Sequence, residues 1–443
     1  MKSFGRFLVV ALVVFALLQL ARPRIPAKPA AAEIQASPQV RQILRNDCYS
    51  CHSDERRLAW FDQIVPGYWL VRHDILTARQ HLNFSTLGSQ SPTVQRAALF
   101  EAVNMIQLGA MPLPSFRKLH PEAKVTPEDL ATLKAYLAPW MPAPNPPPAQ
   151  PVPAIALDSV KPEFNHLPFD PSFETWKPIS TTDRGDNNTF RFILGNDIAV
   201  KAAQSGNITP WPDGSRFAKI AWQQTLGSDG LMHPGDFVQV ELMVKDAPRY
   251  KDTEGWGWGR WRGLNLAPYG KSPHFVSECT SCHLPVRGND YVYTLPMTEA
   301  RVVREEVVNN KAAALPATLP WQPLAWNAIT MFVDRSRQIT ATLYGDEAAI
   351  QAVPVRDTTT TQPPPWPAGA VLALVTWAQR DDPHWFGARI PDAPQSVEFV
   401  QVAPPGQTAG YRRFAGPALA EDSNPDSAQR ISFITGLSPA RLP

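Results

Sequence analysis

The four cysteines of this chain stand as two pairs, and a histidine follows each pair directly: Cys48-Tyr49-Ser50-Cys51-His52 and Cys279-Thr280-Ser281-Cys282-His283. C-x-x-C-H is the attachment signature of a c-type haem. The two thiols add across porphyrin vinyl groups, and the histidine beside the second becomes the proximal iron ligand. A thioredoxin-like redox pair, half of a zinc site and a pair of buried thiols are the competing readings. A redox pair does not account for a histidine after both pairs, and zinc sites usually space their histidines away from the cysteines. Two covalently bound c-type haems are therefore expected, held by Cys48 and Cys51 with His52, and by Cys279 and Cys282 with His283.

The elements that position these motifs differ between the two. Around the first, Ser37-Pro38, Ser91-Pro92 and Thr126-Pro127 are helix starts, with a hydroxyl cap followed by proline at the first helical position. Val40, Ile43 and Leu44 share one face and lead into Cys48; Val94, Ala98, Leu99, Ala102 and Ile106 form a second stripe. A small all-α domain over residues 36–140 follows. Its sixth iron ligand is read as Met111, in the proline-stiffened loop Gly109-Ala110-Met111-Pro112-Leu113-Pro114, with His73 and His81 as rivals and Met105 as a core methionine. A thioether ligand raises the potential and blocks substrate access, which suits electron transfer. Arg45-Asn46-Asp47-Cys48, His81-Leu82-Asn83-Phe84-Ser85 and Met111-Pro112-Leu113-Pro114-Ser115 resemble the pattern of a family of small periplasmic haem-binding domains.

Residues 141–153 carry seven prolines, so 141–164 reads as a semi-rigid linker. Beyond it the period changes to two. Thr189-Phe190-Arg191-Phe192-Ile193-Leu194, Phe217-Ala218-Lys219-Ile220-Ala221-Trp222 and residues 237–244 are β-type runs, with a helix-like stretch at 198–203. A c-type haem on such a frame, over residues 165–300, is not the ordinary helical carrier. Leu194-Gly195-Asn196-Asp197, Trp211-Pro212-Asp213-Gly214, Ala218-Lys219 and the late motif followed by Asn289-Asp290 resemble the cytochrome P-460 and cytochrome c′-β family. The resemblance implies a five-coordinate haem on a β-sheet fold. One branch cross-links a lysine to the porphyrin and oxidises hydroxylamine; the other binds nitric oxide or carbon monoxide. Lys219, a charge between apolar neighbours, decides between them, with Arg191 as a propionate partner or distal donor. Asp290 is a base that would take protons from substrate, or else a solvated turn residue.

A third stretch, 320–443, echoes the second. Tyr344-Gly345-Asp346-Glu347 matches Leu194-Gly195-Asn196-Asp197; Trp366 to Trp377 matches Trp211 to Trp222 at equal spacing; Phe399-Val400-Gln401-Val402 matches Phe237-Val238-Gln239-Val240. This copy has no cysteine. It carries Leu374 at the place of Lys219 and Ala341 at that of Arg191, which marks both as residues lost with the haem. Covering a sheet edge or forming a partner surface is its expected role.

Composition sets the remaining bounds. The 443 residues are 44% hydrophobic, and a net charge of +2 without a long basic block gives no reason to invoke nucleic acid. A basic start and an apolar run over residues 7–20 make 1–32 a signal or membrane-anchor segment. Haem attachment to C-x-x-C-H takes place outside the cytoplasm, so a periplasmic location is expected, with or without an inner-membrane anchor. The expected fold class is α+β, with an N-terminal all-α cytochrome c-like domain and two β-sheet-rich cytochrome P-460-like domains. The expected function is oxidation of a small nitrogen compound at the second haem, with electrons leaving through the first to a soluble or membrane acceptor. The alternatives are a gas-binding cytochrome and a simple relay. Oligomeric state, a dimer included, stays open.

Overall fold

The computed structural model describes residues 2–140, 156–272, 274–298, 309–353, 363–422, 426–440 and 442. The chain forms two compact units, Met1–Trp140 and Met141–Pro443. The first is helical: α1 (Lys2–Leu18), α2 (Pro38–Asp47), α3 (Tyr49–His52), α4 (Gly67–His81), α5 (Pro92–Gln107), α6 (Pro114–Arg117) and α7 (Pro127–Leu137). The three capped starts are in place. Ser37 accepts from the Val40 N–H, Ser91 from the Val94 N–H, and Thr126 closes a capping box with Asp129. No helix among the described residues is long and apolar enough to cross a membrane.

Part of the stretch read as a leader belongs to this unit. Ile25 is buried with Val65, Tyr68 and Ile75, and the Ala31 and Ala32 N–H groups donate to Ser85 O. Glu33 pairs with Arg45 at 2.5 Å. The chain passes so close to Gly88 that a Cβ there would lie 2.3 Å from Glu33 O, so only glycine fits.

The second unit is a twelve-stranded antiparallel sheet. Its first half runs β1 (Lys177–Arg184), β2 (Thr189–Gly195), α8 (Asp197–Ser205), β3 (Arg216–Leu226), β4 (Met232–Lys245), β5 (Trp256–Arg262), β6 (Ala267–Pro268) and α9 (His274–His283). The second half runs β7 (Asn327–Asp334), β8 (Ile339–Gly345), α10 (Glu347–Ala352), β9 (Val371–Asp381), β10 (Ala388–Gln401), β11 (Gly410–Ala415), β12 (Ala420–Asp422) and α11 (Ser427–Thr435). Each element of one half has its counterpart in the other, in the same order. The repeat is therefore structural as well as sequential.

Two details fix its register. Gly214 and Gly369 sit at φ +87° and +91°, a turn that a side chain would strain. Their N–H groups donate to Lys245 O and Val402 O. Val402 thus stands where Lys245 does, and Phe399 pairs with Ala373 as Leu242 pairs with Ala218. The sequence match of Phe399 to Phe237 is off by five residues, because two similar F-V-Q-V strings stand at different heights on equivalent strands.

The halves share one sheet. Strand order is β1-β2-β3-β4-β7-β8-β9-β10, and β10 pairs back onto β1 through Asp183↔Arg389 and Arg184↔Ala388. A bridge at Met232↔Val333 joins β4 to β7. Eight strands thus close on themselves, and the two β-rich stretches form one compact body. The seam at Asp183 and Arg184 covers part of the β1 edge of the first copy.

Residues 156–164, read from sequence as linker, also belong to this body. The Glu163 carboxylate is buried and accepts from the N–H groups of Phe164, Arg260, Tyr269 and Gly270, clasping the start of the unit to β5 and β6. Glu163→Ala would leave these donors buried and unpaired. A loss of at least about 3 kcal/mol is expected, readable as a lowered midpoint in chemical denaturation; an unchanged midpoint would remove the clasp from this account.

Candidate functional site

In the helical unit, the buried face of α2 (Val40, Ile43, Leu44) carries the chain into Cys48, and the single turn of α3 presents Cys51 and His52. The His52 Nδ1–H donates to Leu82 O at 3.0 Å, so the lone pair is on Nε2. The segment that accepts this bond is itself pinned. Phe84 N–H donates to His52 O, Asp54 N–H to Ser85 Oγ, and Asn83 Nδ2 to Asp54 Oδ1. An apolar slot beside Cys48 is lined by Leu44, Leu99, Val103, Leu133 and Leu137 from α2, α5 and α7. Met111 is half-buried in the loop after α5, folded back so that its N–H donates to Met105 O. The rivals His73 and His81 are exposed on α4.

In the β unit, Cys279 of α9 is buried among Phe217, Trp256, Trp258 and Phe275. The His283 Nδ1–H donates to Tyr291 O at 2.7 Å, again leaving Nε2 with the lone pair. Its ring packs on Trp258 and Tyr293, at 4.6 and 5.0 Å between centroids. Burial pushes His283 down to about 4 and lowers His52, so both imidazoles are neutral, the form that binds iron.

One register row crosses the sheet on the same face: Ile193, Lys219, Glu241 and Arg260, on four adjacent strands. Lys219 Nζ is ion-paired with Glu241 Oε2, and Arg260 Nε lies 2.9 Å from Glu241 Oε1. Burial lowers the Lys219 amine to about 8. Burial alone would raise Glu241, but Arg260 and Lys219 outweigh it and hold the carboxyl well below its usual range. Arg191 stands in the adjoining row, its Nε buried and without a partner, and burial lowers it to about 9.

The second copy repeats the row as Leu343, Leu374, Glu398 and Arg413. The Glu–Arg pair persists and the lysine does not. There the second cation on Glu398 is Arg430 of α11, at 2.5 Å, and Ile431, Phe433 and Ile434 fill the face with Leu372 and Leu374. The first copy leaves that face to α9 and its cysteines.

Asp290 is placed elsewhere. Its carboxylate accepts from the Trp211 N–H and pairs with buried Lys245 at 2.8 Å, on the loop that holds His283. The carboxylate beside Lys219 is Glu241, which the sequence reading passed over. Its signal was the one that exposed Lys219, a charge between apolar neighbours, here Val240 and Leu242.

The residues fit a haem in both places. Each motif offers two thiols and an imidazole with a free Nε2; burial pushes Cys48 and Cys279 up to about 12 and Cys51 to about 11. A redox-active pair needs the opposite shift. Among the described residues no cluster of three or more His, Cys, Asp or Glu is arranged for a bare metal ion, so a zinc site has no ligand set.

Residues 8–139 match the model of a haem-binding domain, and residues 171–294 match that of cytochrome P-460. The chain carries a haem-binding domain and, after it, a cytochrome P-460 domain. No curated protein matches it. The cytochrome P-460 match ends before β7, so the second copy is known from the repeat and the fold alone.

Asp47, next to Cys48, is raised to about 6, by burial and then by Asp129. A carboxyl raised in the folded state contributes stability at low pH that is lost as pH rises through about 6. Asp47→Asn should therefore melt higher than the parent at pH 7.5 and match it near pH 4. Equal melting at both pH values would contradict the shift.

Proposed function

We propose that the chain is an exported dihaem c-type cytochrome that oxidises a small nitrogen compound, hydroxylamine first, at the haem of the β unit. The haem held by Cys48, Cys51 and His52 would be the electron outlet to a soluble or membrane acceptor. The observation that carries this reading is the Lys219–Glu241–Arg260 row beside the His283 face, with its lysine absent from the cysteine-free copy. Haem held through Nε2 of His283 would supply a redox-active iron and an electron sink. Cys279 and Cys282 would fix it covalently, as Cys48 and Cys51 would fix the first.

The protein's own groups handle the protons that accompany the electrons. With a pKa of about 8, Lys219 is neutral in about one molecule in four at pH 7.5. Its Nζ can thus accept a proton, while ionised Glu241 stabilises the resulting ammonium. Asp290, committed to Lys245, holds the His283 loop instead of serving as the base. Arg191 offers its unpaired Nε to substrate or to a propionate. Met111 would serve as the second protein ligand of the first haem, which suits that haem to electron transfer. Attachment to C-x-x-C-H, with the basic and apolar N-terminus, supports a periplasmic site, soluble or anchored.

Two experiments test this. Hydroxylamine added to oxidised protein should reduce the first haem, and Lys219→Leu, the residue of the second copy, should slow that reduction about 100-fold with the haem count unchanged. A Lys219 peptide carrying haem mass would support the oxidase but remove the amine as its base; a free Lys219 with undiminished gas affinity and no hydroxylamine turnover would favour a gas-binding cytochrome. Separately, Met111→Ala should convert the first haem from low to high spin, and an unchanged spectrum would remove Met111 as the ligand.

A further inference from the structure

The cysteine-free half does more than close the sheet. Between β9 and β10 its chain forms a loop, residues 382–387, that docks on the haem half at Tyr293. His384 Nδ1–H donates to Tyr293 O at 2.8 Å. The Tyr293 ring lies edge-on between His283, at 5.0 Å, and Trp385, at 5.7 Å, and its hydroxyl donates to Cys282 O at 2.7 Å. Trp385 is held in turn. Its Nε1–H donates to Asp186 Oδ2, the Arg184 guanidinium covers its ring at 4.3 Å, and the Asp186 N–H donates to Gly387 O. The backbone that accepts from His283, at Tyr291, is two residues from Tyr293.

From this geometry we propose that His384 and Trp385 of the second copy are positioning residues for His283. They fix Tyr293, and through it the plane of the imidazole and the depth of the Cys282–His283 turn. The exchange is reciprocal. In the first half, Leu231 of the equivalent loop packs against the core of the second, and His233 at the start of β4 lies beside Phe332. One loop therefore reaches the tyrosine that packs on the haem ligand, and among the described residues its counterpart packs on apolar side chains. That asymmetry separates positioning from general packing. A ligand whose ring turns, or whose bond to Tyr291 O lengthens, donates differently to iron, so the effect reads out in the iron's spectrum and potential.

This inference rests on His283 being the iron ligand. The experiment compares parent holoprotein with Trp385→Ala, Trp385→Phe, His384→Ala and, as the packing control, Leu231→Ala. Covalent haem is counted by mass, and the ferric spin-resonance spectrum and midpoint potential of the second haem are recorded. The expected result is two haems in every variant, with the second-haem signal and potential shifted in Trp385→Ala and His384→Ala. Trp385→Phe, which keeps the packing, should lie nearer the parent, and Leu231→Ala should lower the melting temperature without moving the spectrum. Two haems with parental spectrum and potential in Trp385→Ala and His384→Ala would overturn the proposal, as would a Leu231→Ala shift of equal size. A parent with no haem on Cys279 and Cys282 would instead overturn the site reading beneath it.

Discussion

A carboxylate on the covered face of a sheet cannot stand alone, and the architecture of the β unit follows from how it is neutralised. Glu241 and Glu398 occupy equivalent positions, and each takes an arginine from the next strand, Arg260 or Arg413. Each also takes a second cation, and here the halves part. Lys219 supplies it from within the sheet in one, while Arg430 supplies it from α11 in the other. Removing one partner of a buried charge group costs about 3–5 kcal/mol, so neither half can lose its second cation lightly. Where the cation comes from a helix, that helix also fills the face. Where it comes from the sheet, the face is left for something else to cover.

The same comparison explains what was legible in the sequence. Local signals were: the three hydroxyl–proline helix starts, the strand runs on either side of Lys219, and the two C-x-x-C-H motifs all depend on neighbours a few residues apart. Lys219 stood out because its charge broke an apolar pattern, and Leu374 in the second copy sharpened the contrast. Glu241 broke its pattern in the same way. It was missed because F-V-Q-V strings five residues out of register drew Phe399 onto Phe237 and hid the equivalence of Glu241 and Glu398.

What failed to show was long-range. Asp290 reads as a turn residue or a base until Lys245, on a distant strand, is seen to hold it. Glu163 sits at the end of a proline-rich stretch, and its four donors lie on β5, just after β6, and on its own loop. The seam of β1 with β10 joins residues about 200 positions apart, beyond any local pattern. The repeat pointed to a second copy, but only tertiary pairing shows the two closing one sheet and exchanging loops.

The proposed oxidation requires two haems that differ in kind, a closed iron in the helical unit and an open one in the β unit. Electron spin resonance of the fully oxidised holoprotein tests it most directly. One low-spin and one high-spin ferric signal of equal weight are expected, with hydroxylamine or nitric oxide altering only the high-spin one. Two low-spin signals, both indifferent to either molecule, would contradict it.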